Sequence, residues 1–213
     1  MALVKITVDE TLIQAEEGKN LLQVCLENQI YIPNLCYLEG MGEPPASCRL
    51  CLVEIDGVDG PVTACTTKVG QGMVVRTDSD LVRELQRSAL RLLLSSHRVD
   101  CAHCEANKKC ALQDIARFLG VGLKPKGLDQ ILKEPDCDDS HPHLSYYPNR
   151  CVLCGRCIYV CKREHPLAML SFAKRGFDTV VSLYGASLTK DLPCVTCSLC
   201  VDICPVGALL RKS

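Results

Sequence analysis

Tryptophan is missing from this 213-residue chain, and phenylalanine and tyrosine together number nine. A chain so poor in large apolar side chains cannot build a deep core by burial alone and needs another staple. Long apolar runs are missing too: no stretch approaches the roughly 20 residues of a membrane span. No twin-arginine signal occurs, and Met1 to Glu10 alternates like a strand rather than an export leader. Neither Gly40-Met41-Gly42 nor Gly70-Gln71-Gly72 continues into a G-x-G-x-x-G fingerprint, and there is no P-loop, so nicotinamide and flavin sites are not expected here. A net charge of −1 argues against nucleic acid as a partner. That charge is uneven, with 5 Lys and Arg against 11 Asp and Glu in residues 1–78, and a basic excess beyond them.

What the chain has in excess is cysteine, 17 residues, an odd number that cannot pair off completely. Without an export signal a disulfide scaffold is disfavoured, and the thiols read as metal ligands in a reducing cytoplasm. The densest pattern is Cys151-x2-Cys154-x2-Cys157-x3-Cys161, then Cys194-x2-Cys197-x2-Cys200-x3-Cys204-Pro205. In this bacterial ferredoxin spacing three cysteines of a loop hold one [4Fe–4S] cluster and the fourth crosses to the other. The spacing therefore predicts Cys151, Cys154, Cys157 and Cys204 on one cluster, and Cys161, Cys194, Cys197 and Cys200 on its neighbour. Lys162 stands where the pattern would put a proline after the first run. Gly155 and Gly207 are expected to let the backbone approach cluster sulfur. Arg156, Lys162 and Arg163 either offset cluster charge or form an ordinary solvated face. Phe177–Tyr184 reads as a strand closing at Gly185.

In residues 1–78, Val4, Ile6 and Val8 alternate with polar residues, and a second strand follows the Asp9-Glu10 turn. Asn20 is placed to cap a helix carrying Leu21, Leu22, Val24, Cys25 and Leu26. Strand patterns return at Leu50–Ile55, Val62–Cys65 and Met73–Arg76, which together suggest a β-grasp sheet. Into it fall Cys36, Cys48, Cys51 and Cys65, a C-x2-C pair with two outlying cysteines, the arrangement that holds a [2Fe–2S] cluster. The first gap is eleven residues rather than the four of plant ferredoxins. Four cysteines also suit zinc; the strand order and the C-terminal runs favour iron. Cys25 reads as a buried structural thiol.

Residues 79–150 open with a helix capped by Asp78 or Ser79 and running to about Ser96, with Leu81, Val82, Leu85, Ala89, Leu92 and Leu93 on its apolar stripe. His97-x3-Cys101-x2-Cys104-x5-Cys110 follows. Three cysteines need a fourth ligand, and His97, His103 and Cys137 compete for the place. His103 lies inside the C-x2-C loop and would strain it; Cys137 sits in an acidic loop; spacing favours His97 without excluding either. Ala111–Leu119 reads as a helix ending at Gly120. Residues 121–149 read as a linker, with His141 and His143 as ordinary surface histidines.

The combination of that histidine motif, the N-terminal cysteine spacing, the Leu112-Gln113-Asp114 continuation and the paired ferredoxin runs is specific. It resembles the N-terminal part of the large iron–sulfur subunit of NADH:quinone oxidoreductase and the N-terminal extension of iron-only hydrogenases. It is similar also to the small diaphorase subunit of NAD-reducing nickel–iron hydrogenases. The resemblance covers essentially the whole chain and implies His97 as a [4Fe–4S] ligand beside Cys101, Cys104 and Cys110.

The expected fold is α+β: a β-grasp [2Fe–2S] ferredoxin domain (1–78), a small helical His/Cys3 [4Fe–4S] domain (79–140) and a bacterial ferredoxin-like domain for two [4Fe–4S] clusters (141–213). One [2Fe–2S] and three [4Fe–4S] clusters, about 14 iron atoms, would use fifteen cysteines and leave Cys25 and Cys137. No acid/base pair stands apart from these ligands, so no substrate-turnover site is expected. Stopping soon after its ferredoxin runs, the chain best fits the small diaphorase subunit of a cytoplasmic NAD-reducing hydrogenase. The resemblance implies partners: a flavin- and NAD-binding diaphorase subunit and nickel–iron hydrogenase subunits in a hetero-oligomer. The alternatives are a small subunit of an NAD-linked formate dehydrogenase or other bifurcating complex, a free ferredoxin carrier, and a structural zinc module.

Overall fold

The computed structural model describes residues 2–124, 126–166, 169–183 and 193–212. The expected strand end at Tyr184 and Gly185 lies outside them. By contact the chain falls into two compact units, residues 1–91 with 118–121, and residues 92–117 with 122–213.

In the first unit, β1 (Leu3–Val8) and β2 (Thr11–Glu16) form an antiparallel hairpin. Its turn is Asp9-Glu10, both at positive φ, as a tight hairpin turn that follows the strand twist requires. The helix α1 (Leu21–Glu27) begins where the Asn20 side chain accepts from the Gln23 amide at 3.1 Å. Strands β3 (Leu52–Ile55), β4 (Val62–Thr63) and β5 (Val74–Arg76) complete a five-stranded sheet in the order β2-β1-β5-β3-β4, with β1 and β5 parallel. This is the β-grasp arrangement. The alternate residues Val4, Ile6 and Val8 face inward and meet Leu21, Leu22 and Val24 in one buried cluster.

The helix α2 (Asp80–Ser95) is capped by Ser79, whose hydroxyl accepts from the Val82 amide at 3.2 Å. Its buried positions are Val82, Gln86, Leu90 and Leu94, whereas Leu81, Leu85 and Leu92 are exposed. Of the expected stripe Val82 is buried and Ala89 and Leu93 are half-buried, so the true inner face is rotated from it and only partly shared. That face carries a glutamine, made tolerable because Gln86 Nε2 donates to the Leu52 carbonyl at 3.2 Å. The helix α3 (Ala111–Leu119) buries Leu112, Ile115, Ala116 and Leu119, and Gly120 follows it at positive φ.

The second unit is built from short pieces. Two-stranded sheets pair β6 (Leu144–Tyr146) with β9 (Leu209–Arg211), and β7 (Leu170–Ala173) with β8 (Val180–Leu183). Between them lie α4 (Arg156–Glu164) and the single turn α5 (Leu199–Asp202). The stretch expected to be a linker thus contributes a strand, β6, while residues 131 and 133 bond to Ser95 and Asn149. Among the described residues no helix is long and apolar enough to cross a membrane.

Candidate metal centres

The four N-terminal cysteines come together on loops fastened to the β-grasp frame. Asn20, the cap of α1, also donates through Nδ2 to the Cys65 carbonyl, and Ala64 N–H donates to the Cys51 carbonyl at 2.8 Å. Cys36 Sγ and Cys48 Sγ lie 3.4 Å apart, and all four thiols are buried. Hydrogen bonding with Cys48 and then with Cys65 holds Cys36 far below the ordinary thiol range. Cys65 likewise pulls Cys51 down. Cys48 and Cys65 are pushed up in turn by the same sulfur–sulfur hydrogen bonds and by burial. A cation bound among these sulfurs would favour loss of their remaining protons. Cys25, outside the group, is buried on α1 and pushed up to about 12 by burial, the behaviour of an inert structural thiol.

Of the competitors beside Cys101, Cys104 and Cys110, His97 is 8% exposed, and its Nδ1 is buried without a partner among the described residues. Burial pushes the imidazole down to about 4, against a hydrogen bond to the Arg150 backbone, so the ring is neutral and has a lone pair to give. Arg150 also reaches the cysteine loop, donating from Nη2 to the His103 carbonyl at 3.3 Å. The rivals have partners of their own. His103 points outward and pairs with Asp100 at 2.9 Å. Cys137 keeps company with Tyr147 and Asp139.

The two ferredoxin runs interleave. One cavity is lined by Cys151, Cys154, Cys157 and Cys204, with Tyr146, Gly155 and Val181 among its other walls. A second is lined by Cys161, Cys194, Cys197 and Cys200, with His141 and His165. Backbone amides point at sulfur: Leu153 N–H to Cys151 Sγ at 3.4 Å and Ala208 N–H to Cys204 Sγ at 3.2 Å. Leu153 takes up a left-handed φ of +52° to achieve this. The Tyr146 hydroxyl accepts from Val181 N–H at 3.1 Å, leaving its own proton for the hydrogen bond to Cys151. Burial pushes the Cys154 and Cys200 thiols up to about 12, so their ionised form needs compensating positive charge. Among the described residues no three or more His, Cys, Asp or Glu side chains converge as a single ion would require. Each cavity instead brings four soft sulfur donors around a common space, which fits a polynuclear iron–sulfur group.

One expectation needs correcting. His141 is not a surface histidine: it is 1% exposed, and burial followed by the charges of His143 and Lys212 lowers its pKa. No signal in the sequence marks it, since an isolated His-Pro-His carries no period. The basic residues in and after the first run differ in placement. Arg156 lies against Cys154 and lowers its pKa, whereas Arg163 pairs with Glu164 at the surface at 2.8 Å.

Comparison with known proteins finds three iron–sulfur domains in sequence along the chain. Residues 1–80 match the 2Fe-2S iron-sulfur cluster binding domain, residues 86–124 the NADH-ubiquinone oxidoreductase-G iron-sulfur binding region, and residues 141–210 the ferredoxin-like domain of NADH-quinone oxidoreductase subunit 3. The chain is 34% identical over 216 residues to the NADP-reducing hydrogenase subunit HndD of Solidesulfovibrio fructosivorans, covering 99% of this chain and 36% of that one. It is 32% identical over 219 residues to the mitochondrial NADH-ubiquinone oxidoreductase 78 kDa subunit of Neurospora crassa, covering 99% and 28%. It thus spans about a quarter to a third of the length of these curated relatives. A chain in a crystal structure of an NAD+-reducing [NiFe]-hydrogenase in the H2-reduced state superposes with a TM-score of 0.86 at 31% identity, covering 99% of this chain and 88% of that one.

Proposed function

This chain belongs to the family of iron–sulfur subunits found in NAD+-reducing [NiFe]-hydrogenase and NADH-quinone oxidoreductase-like complexes, and from that premise we propose that it relays electrons between a nickel–iron hydrogenase module oxidising H2 and a flavoprotein module reducing NAD+. Its cofactors would be one [2Fe–2S] cluster on Cys36, Cys48, Cys51 and Cys65, and three [4Fe–4S] clusters. The first of these would be held by His97, Cys101, Cys104 and Cys110. The second would be held by Cys151, Cys154, Cys157 and Cys204, and the third by Cys161, Cys194, Cys197 and Cys200. Such clusters, when bound, accept and release single electrons. The chain's own part is to hold them, exclude water and aim N–H and O–H donors at sulfur. It would work in the cytoplasm, divided into cluster-binding parts at about residues 78 and 140.

The observation that carries the proposal is the partition of eight cysteines between two cavities, the fourth of each run lying with the first three of the other. That lacing is a device for keeping two clusters close, and close clusters pass electrons. The test is anaerobic iron and acid-labile sulfide analysis with EPR on reduced protein, together with purification from its native host. About 14 iron atoms per chain and stable co-purification with flavin- and nickel-containing subunits are expected. A colourless protein without labile sulfide would sink the reading. Co-purification with a nickel-free, formate-oxidising complex would transfer it to that enzyme class.

A further inference from the structure

His141 is 1% exposed, and its Nε2 has no hydrogen-bond partner among the described residues. An imidazole nitrogen left this way inside a protein costs free energy unless something absent from the bare chain receives it. The other ring nitrogen is committed: His143 N–H donates to His141 Nδ1 at 3.1 Å. A backbone amide only donates, so Nδ1 presents its lone pair, and a neutral ring must carry its proton on Nε2. The tautomer is therefore set by the chain itself, and it makes Nε2 a donor rather than a metal ligand. The ring lines the cavity of Cys161, Cys194, Cys197 and Cys200. The neighbouring cavity shows the same arrangement completed within the protein, where the Tyr146 hydroxyl, tied down by Val181 N–H, hydrogen-bonds to Cys151.

We infer that His141 Nε2–H is a hydrogen-bond donor to the sulfur of the cluster held by Cys161, Cys194, Cys197 and Cys200, and that it sets that cluster's reduction potential. The inference rests on the cluster assignment above. A donor to sulfur stabilises the more negative, reduced state more than the oxidised one, so it raises the potential. His141 is thus a positioning and tuning residue, with no part in ligation. His165 also lines the cavity with an unpartnered Nε2 among the described residues. It is less buried, however, and among the described residues no backbone donor fixes its tautomer as one does for His141.

The test uses the whole chain loaded with clusters. In protein labelled with 15N-histidine, pulsed EPR on one all-cysteine [4Fe–4S] signal should show a weak nitrogen coupling, distinct from the strong coupling of a ligating imidazole. In His141→Leu that weak coupling should vanish, iron content should stay at the wild-type value, and the midpoint potential of that one centre should fall. His141→Gln, which restores an amide donor, should recover part of the shift. The measurement on unsubstituted protein needs no variant to fold, and absence of the weak coupling there overturns the inference. Loss of iron in both variants overturns it as well, because it would make His141 a ligand. A coupling that disappears in His165→Leu but persists in His141→Leu does the same. Failure of the underlying cluster assignment looks different, as missing iron and labile sulfide in the unsubstituted protein.

Discussion

Replacing Gly207 by alanine tests how tightly two cysteine loops are stacked. Gly207 has a φ of +65°, and a Cβ placed there would lie 2.7 Å from Cβ of Ala106. Ala106 sits between Cys104 and Cys110, while Gly207 follows Cys204 and precedes the Ala208 amide that bonds its sulfur at 3.2 Å. The loops are also tied by Ala111 N–H donating to the Pro205 carbonyl at 2.9 Å. Two costs follow. Holding alanine in the left-handed region costs about 1–2 kcal/mol relative to glycine. Relieving an overlap against a Cβ that cannot rotate away costs a further ~1–3 kcal/mol. The sum, ~2–5 kcal/mol, should appear as earlier cluster release in guanidinium, followed anaerobically by the visible absorption of the iron centres. Bound clusters break two-state behaviour, so only differences between variants are compared. Ala106→Gly clears the overlap, and the double variant should regain the steric share while keeping the φ cost. Release of clusters by Gly207→Ala at the wild-type denaturant concentration would refute the stacking, as would no recovery in the double variant.

Four further outcomes are expected. His97→Ala should lose about four iron atoms while Cys137→Ala keeps them all; the reverse result would move the ligand to Cys137. Tyr146→Phe should lower the potential of the Cys151 centre and cost about 1–3 kcal/mol by leaving Val181 N–H unpaired, both read by redox titration and cluster release. Cys25, its thiol pushed up to about 12 by burial, stays protonated below that pH, so iodoacetamide at pH 8 should leave it unmodified in the native protein and label it only after denaturation. Stripping the iron under reducing conditions should leave amide exchange protection in β1, β2 and β5, which share an apolar core. Protection should be lost across residues 97–110 and 151–210, whose short elements depend on ligand bonds; uniform retention in both stretches would contradict this.

How much could be read beforehand differs by residue. The lacing of the two C-terminal runs was suggested by cysteine spacing, because each C-x2-C-x2-C loop is too tight to admit another partner while a fourth cysteine four positions on is free to face the neighbour. The two-residue period of Val4, Ile6 and Val8, the Asn20 cap and the Gly120 stop were equally legible, since each acts over a few residues. What local pattern could not decide was anything requiring a partner far along the chain. The buried face of α2 was misjudged because Gln86 is admitted inside by a carbonyl thirty-four residues away. Strand β6 was overlooked because its ladder is made with β9, more than sixty residues along the chain. His141 became visible as a buried donor only once folding had closed a cysteine-lined cavity around it, and Gly207 as a contact point only once Ala106 lay against it. Candidate ligands can be picked out from the spacing of thiols; the environment that tunes each thiol is made by tertiary contact, because burial and hydrogen-bond direction are properties of neighbours.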